Sequence, residues 1–105
     1  MTLEEYQDSA NKVTLKKIIE TYGVSAQVDM AIEEMSELTK ALLKNRRSGG
    51  DSAKLRDDII EEIADVTIMI EQLTMIFDCE AEVKQQIIYK LTRQLKRMKQ
   101  EGGKI

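Results

Sequence analysis

Two short stretches hold the residues best suited to chemistry: Glu34-Met35-Ser36-Glu37-Leu38 and Glu62-Ile63-Ala64-Asp65-Val66. Both run acid, apolar, any, acid, apolar. On a helix, acids three apart lie about 5–6 Å from one another at Cβ, near enough to grip one cation. An isolated acid-x-x-acid is ordinarily a solvated face, the reading that suits Glu4, Glu5 and Asp8. The matched pairs differ because each adjoins an apolar seam and shares its helical sectors with Met30, Ala41, Met69 and Ile76.

Their register matches as well. Glu34 and Glu37 precede the midpoint between Gly49 and Gly50 by as many residues as Asp65 and Glu62 follow it. A hairpin folded there brings the four carboxylates level and, by the 100° wheel, onto one edge, with Glu33 and Glu61 on the outer faces. Four such acids beside a core repel one another and must take up protons, stay solvated apart, or share a cation. The chain has no histidine and one cysteine, Cys79. An all-oxygen set of this kind suits a hard ion, Mg²⁺ with Mn²⁺ able to substitute, and disfavours both zinc and a di-iron site built on Glu-x-x-His. Cys79 lacks an imidazole to activate it and a disulfide partner, so it reads as a structural thiol.

Helices must position these acids. The composition is 42% apolar, 4% aromatic and 33% charged, without proline, which favours helices packed through Leu, Ile, Val, Ala and Met. One domain fills residues 1–105, since a core of this size closes only once. Thr2 with Glu5 reads as a capping box opening a first helix over 3–22, interrupted at Gly23. Val28, Ala31, Ile32, Met35, Leu38 and Leu42 pattern a second over 25–46. The polar stretch from Arg47 through Gly49, Gly50, Asp51 and Ser52 is a turn ending in two good N-cap residues. Ile59, Ile63, Val66, Ile70, Leu73 and Phe77 form the seam of a third helix over 53–77. Val83, Ile87, Leu91, Leu95 and Met98 form that of a fourth over 80–100, closed by Gly102 and Gly103. The expectation is an all-α, four-helix bundle-like subunit.

Ile68, Met69, Met75 and Ile76 lie off the third seam and make the C-terminal half of that helix apolar nearly all round, which one subunit can hardly cover. A homo-oligomer, dimer or tetramer, is therefore expected. No apolar run reaches the length of a membrane span and no cationic leader opens the chain, so a cytoplasmic protein without a membrane partner is expected. The net charge of −3 hides an asymmetry: residues 1–83 carry nine basic and eighteen acidic groups, residues 84–105 seven basic and one acidic. An acidic body beside a basic helix suits a phosphate ligand that brings metal with it.

Glu33-Glu34-x-x-Glu37 followed by Glu62-x-x-Asp65, within Ala31-Ile32-Glu33-Glu34-Met35-Ser36-Glu37-Leu38 and Glu61-Glu62-Ile63-Ala64-Asp65-Val66, resembles the signature of the MazG-like all-α nucleoside triphosphate pyrophosphohydrolases. The resemblance spans helices two to four. It implies Mg²⁺-dependent hydrolysis of a nucleoside triphosphate (NTP or dNTP) to the monophosphate and pyrophosphate, a reaction of the nucleotide-pool house-cleaning kind. It further implies Glu34, Glu37, Glu62 and Asp65 as metal ligands and Glu33 as an extra ligand or water-orienting group. Lys90 and Arg93 on the last helix are the implied phosphate contacts. For base stacking only Tyr6, Tyr22, Phe77 and Tyr89 are available, and an aromatic in such a position more often belongs to a core. Two other readings compete. One is a non-catalytic helical module binding nucleotides or a protein. The other, weaker, is a nucleic-acid binder using Lys84, Lys90, Arg93, Lys96, Arg97 and Lys99, which are spread around their helix.

Overall fold

The computed structural model describes residues 1–50 and 52–102. Asp51 and Gly103, expected as a cap and a helix stop, lie outside the described residues. Four helices follow one another: α1 (Leu3–Tyr22), α2 (Val24–Arg47), α3 (Ala53–Ile76) and α4 (Glu80–Gln100), with no strand among the described residues. The chain is all-α, as the sequence leads one to expect, and its helix limits fall within about two residues of the expected ones.

Local chemistry accounts for each boundary. The Thr2–Glu5 capping box is present: the Glu5 backbone N–H donates to Thr2 Oγ1 at 3.1 Å and the Thr2 N–H donates to Glu5 Oε2 at 3.0 Å. Gly23, at φ 94°, ends α1 and starts α2 in a single residue, a conformation that a Cβ would disfavour. Ser52 caps α3 by accepting from the Leu55 N–H at 3.2 Å.

The core is an antiparallel α2–α3 hairpin with α1 laid across both helices. The facing stripes differ from the expected seams. On α2 the inward positions are Gln27, Ala31, Glu34, Leu38, Ala41 and Asn45, while Ile32, 62% exposed, and Leu42 face outward. On α3 they are Ile59, Glu62, Val66, Met69, Gln72 and Ile76, while Ile63, Ile70 and Phe77 stay exposed. Both helices are thus rotated so that polar residues sit at seam positions and part of the apolar pattern remains on the outside. The rotation corrects the reading of Met69 as off-seam: it is buried, and Ile70 is not.

The fourth helix does not close a bundle within one subunit. Asp78, at φ 49°, turns the chain after α3, and α4 then touches α3 and, through an ion pair from Lys12 Nζ to Glu80 Oε1 at 3.4 Å, α1. None of its residues is buried, and Ile87, Leu91 and Leu95 are all at least half exposed. The radius of gyration is 17.4 Å, against roughly 13 Å for a compact domain of this length.

Gln72 is 2% exposed and its Oε1 has no hydrogen-bond partner among the described residues. Gln27, also buried, faces the same layer, one heptad before Glu34 as Gln72 is one heptad after Asp65. An unpartnered buried amide oxygen costs about 1–3 kcal/mol. Gln72→Met, which removes it at similar volume, is expected to leave stability unchanged or raise it by about 1 kcal/mol in urea denaturation. Ala31→Leu, overfilling the neighbouring layer, should lower it by about 1–3 kcal/mol. A marked loss in Gln72→Met would show that the amide has a partner.

Candidate metal centre

The hairpin brings three of the expected acids together. One carboxylate oxygen each from Glu34 on α2 and from Glu62 and Asp65 on α3 lies within 4.8 Å of the others. Glu34 and Glu62 occupy inward seam positions and are half-buried, whereas Asp65 stands at the exposed rim. Glu62 Oε2 is sealed from solvent and has no hydrogen-bond partner among the described residues. A carboxylate oxygen in that position calls for a proton or a cation.

Electrostatics point the same way. The Glu34 carboxyl is held above its ordinary 4.5, first by removal from water and then by the charges of Asp65, Glu62 and Glu33. Glu62 is raised likewise, by removal from water and then by Asp65, Glu37, Glu61 and Asp58. Away from this group Glu80 moves in the opposite direction, held below 4.5 by the ammonium groups of Lys12 and Lys84.

Glu37 is not drawn into the trio. Its Oε1 accepts from Lys40 Nζ at 3.4 Å, one turn further along α2, and it borders Glu62 from the side nearer the interhelical turn. Glu33 and Glu61 are exposed, as their place on the outer faces leads one to expect. Lys90 and Arg93 lie on exposed α4 and neither joins the acids nor lines the groove beside them. Arg93 stacks its guanidinium 5.5 Å over the Tyr89 ring. Cys79 caps the start of α4 and is not among the clustered acids.

The sequence reading passed over the neighbours that shape this centre. Asp58, one helical turn before Glu62, shares its wall of α3, and Lys40, Lys44 and Arg47 line the facing wall of α2. Their spacing was visible: Asp58 precedes Glu62 by four, and the three cations recur at four and three residues.

The donor set fits a hard divalent cation. It is all oxygen, anionic, partly open on the Asp65 side, and contains an oxygen that no hydrogen bond among the described residues satisfies. Glu34, Glu62 and Asp65 are the residues that would hold the ion, with Glu37 adjacent. Among the described residues, no helix is long and apolar enough to cross a membrane.

Linkage gives a test of the charge crowding. A carboxyl whose folded value lies above its unfolded one binds more protons when folded, so stability falls as pH rises through that window. Without divalent cations the protein is expected to melt at a higher temperature near about pH 5 than at about pH 7. Glu34→Gln with Glu62→Gln should flatten that slope, and Mg²⁺ should raise melting most at neutral pH. Glu80 adds the opposite dependence, its stabilisation being lost as pH falls below 4.5. Differential scanning calorimetry across pH reads all three; a metal-free slope untouched by the double substitution would contradict the assignment.

No protein-family model, no curated protein and no solved structure matches this chain, which leaves the carboxylate geometry and the short motif to carry any assignment.

Proposed function

We propose that the protein hydrolyses a nucleoside triphosphate to the nucleoside monophosphate and pyrophosphate, with Mg²⁺ held by Glu34, Glu62 and Asp65. The observation that carries this reading is the convergence of those three carboxylates from two helices, one oxygen of Glu62 being sealed and unpartnered. The resemblance of Glu33-Glu34-x-x-Glu37 and Glu62-x-x-Asp65 to the MazG-like signature supplies the reaction.

Mg²⁺ bound there supplies neutralisation of phosphate charge, orientation of the triphosphate and a lowered pKa for the attacking water. The protein's own part is positional and acid–base. Glu34 and Glu62 stand at fixed seam positions, so their oxygens need little reordering to act as ligands. In the displacement, the water oxygen bonds to the α-phosphorus, the bond from that phosphorus to the bridging oxygen breaks, and pyrophosphate leaves. The water's proton passes to a nearby carboxylate, for which exposed Glu33, beside Glu34, is placed outside the ligand trio. No covalent nucleophile is required.

The same reading includes a homo-oligomer. Ile32, Leu42, Ile63 and Ile70 on the hairpin and Ile87, Leu91 and Leu95 on α4 are each between 46 and 63% exposed in one subunit, apolar side chains that a second copy would cover.

Pyrophosphate release over the common NTPs and dNTPs is expected to require Mg²⁺. Glu34→Gln, Glu62→Gln and Asp65→Asn should each reduce it by more than about 100-fold, beyond the 10–100-fold typical of groups that only support a ligand. Glu37→Gln should fall within that smaller range. Absence of metal-dependent turnover on every substrate would sink the enzymatic reading in favour of a binding module. Light scattering at micromolar concentration should give a mass of at least two chains of 12.0 kDa; a monomer would contradict the oligomer.

A further inference from the structure

Between α2 and α3, on the turn side of the carboxylate trio, runs a groove of about 390 Å³, within the size range of small-ligand sites. Its α2 wall carries Lys40, Lys44 and Arg47, and its α3 wall Asp58, Glu61 and Glu62. Glu62 belongs both to this groove and to the trio, so the two spaces are continuous. The cations recur at four and three residues on one helix face and span about 10 Å along the axis. That is an extended rail, shaped for a chain of anionic groups rather than for a single one.

Charge sets the condition for occupancy. Lys40 is engaged with Glu37 at 3.4 Å, while Lys44 and Arg47 make no ion pair among the described residues. The C-terminus of α2 and the N-terminus of α3 meet at this end, and their partial charges, roughly half a unit each and opposite in sign, offset one another. The side chains therefore decide the field. Three cations face the four carboxylates of Glu37, Asp58, Glu61 and Glu62, one negative charge in excess. The bare groove repels an anion, and a divalent cation held by Glu62 with Glu34 and Asp65 offsets that repulsion, cutting the excess over groove and trio from three negative charges to one.

We infer that this groove receives the pyrophosphate portion of the substrate, with Lys44 and Arg47 as its direct cationic contacts and the cation on Glu62 as the opposite pole. The inference rests on the pyrophosphohydrolase reading and assigns the phosphate contacts to α2 rather than to Lys90 and Arg93 of α4. Arg47 is suited to bidentate phosphate contact and Lys44 to a point contact. The product pyrophosphate keeps these contacts after bond cleavage, so it acts as a competitive inhibitor.

Calorimetric titration with inorganic pyrophosphate, with and without Mg²⁺, tests this without turnover. Wild type should bind pyrophosphate only when Mg²⁺ is present. Lys44→Gln with Arg47→Gln should weaken binding by about tenfold or more. Lys44→Arg should retain most of it, and Lys90→Gln with Arg93→Gln should change it less than about twofold. Lys44 and Arg47 are exposed, so circular dichroism should show unchanged helix content in their variants. Unchanged affinity in the Lys44–Arg47 variant, equal loss in the Lys90–Arg93 variant, or no binding with Mg²⁺ would overturn the assignment. If pyrophosphate binds as expected but no triphosphate is cleaved, the groove stands and the hydrolytic reading falls. If triphosphates are cleaved while pyrophosphate ignores Lys44 and Arg47, only the groove falls.

Discussion

The structure turns on charged carboxylates placed where a helical hairpin ordinarily puts leucines. Glu34 and Glu62 occupy inward seam positions between α2 and α3, level with Asp65. Removing ionised groups from water is costly, and like charges raise that cost further. Their neighbours show the accommodation: small Ala31 and Ala41 keep the helices close, and the layer one heptad beyond is filled by amides, Gln27 and Gln72, rather than by large apolar side chains. The hairpin thus gives up packing along its central stripe, and among the described residues the buried apolar core is Ala31, Val66 and Met69 of the hairpin with Leu15 of α1. An apolar core this small leaves little stabilisation to absorb the repulsion, so a counter-charge at the acids acts on the fold as well as on any ligand.

Much of the helical layout was legible in the sequence because its signals are local. Thr2 with Glu5, Gly23, and the glycines before Ser52 act within a turn of the chain and mark three boundaries directly. The acid pairs were legible for the same reason, their spacing and symmetry about Gly49–Gly50 being enough to bring Glu34, Glu62 and Asp65 together. Glu37 stands outside the trio and is paired with Lys40, three residues on along α2, a contact that a wheel does not weigh. The rotation of the helices was not legible. Both carry more apolar positions than one face can hold, and which face turns inward depends on the partner helix. The groove cations escaped notice because Lys44 and Arg47 end a helix, where basic residues complement the dipole without any ligand.

The placement of α4 separates two levels of organisation. Its stripe of Ile87, Leu91 and Leu95 has the helical period of a packing face, yet its own subunit offers it only the end of α3 and the Lys12–Glu80 contact. Periodicity establishes that a face will be covered and says nothing of which chain covers it. The same holds for Ile32 and Leu42, which the subunit's own helices leave exposed.

The short turn at Gly49–Gly50 has a consequence for synthesis. Every group of the carboxylate trio and of the adjoining groove lies between residues 34 and 65, in a stretch broken only by that turn. The loop closure needed to bring the acids together is small, and contacts of such low sequence separation form early. Once α3 has left the ribosome the acid trio is complete in outline, before any of α4 has emerged. The crowding of the acids is therefore a property of the nascent hairpin, and α4, made last, meets a body in which it is already set.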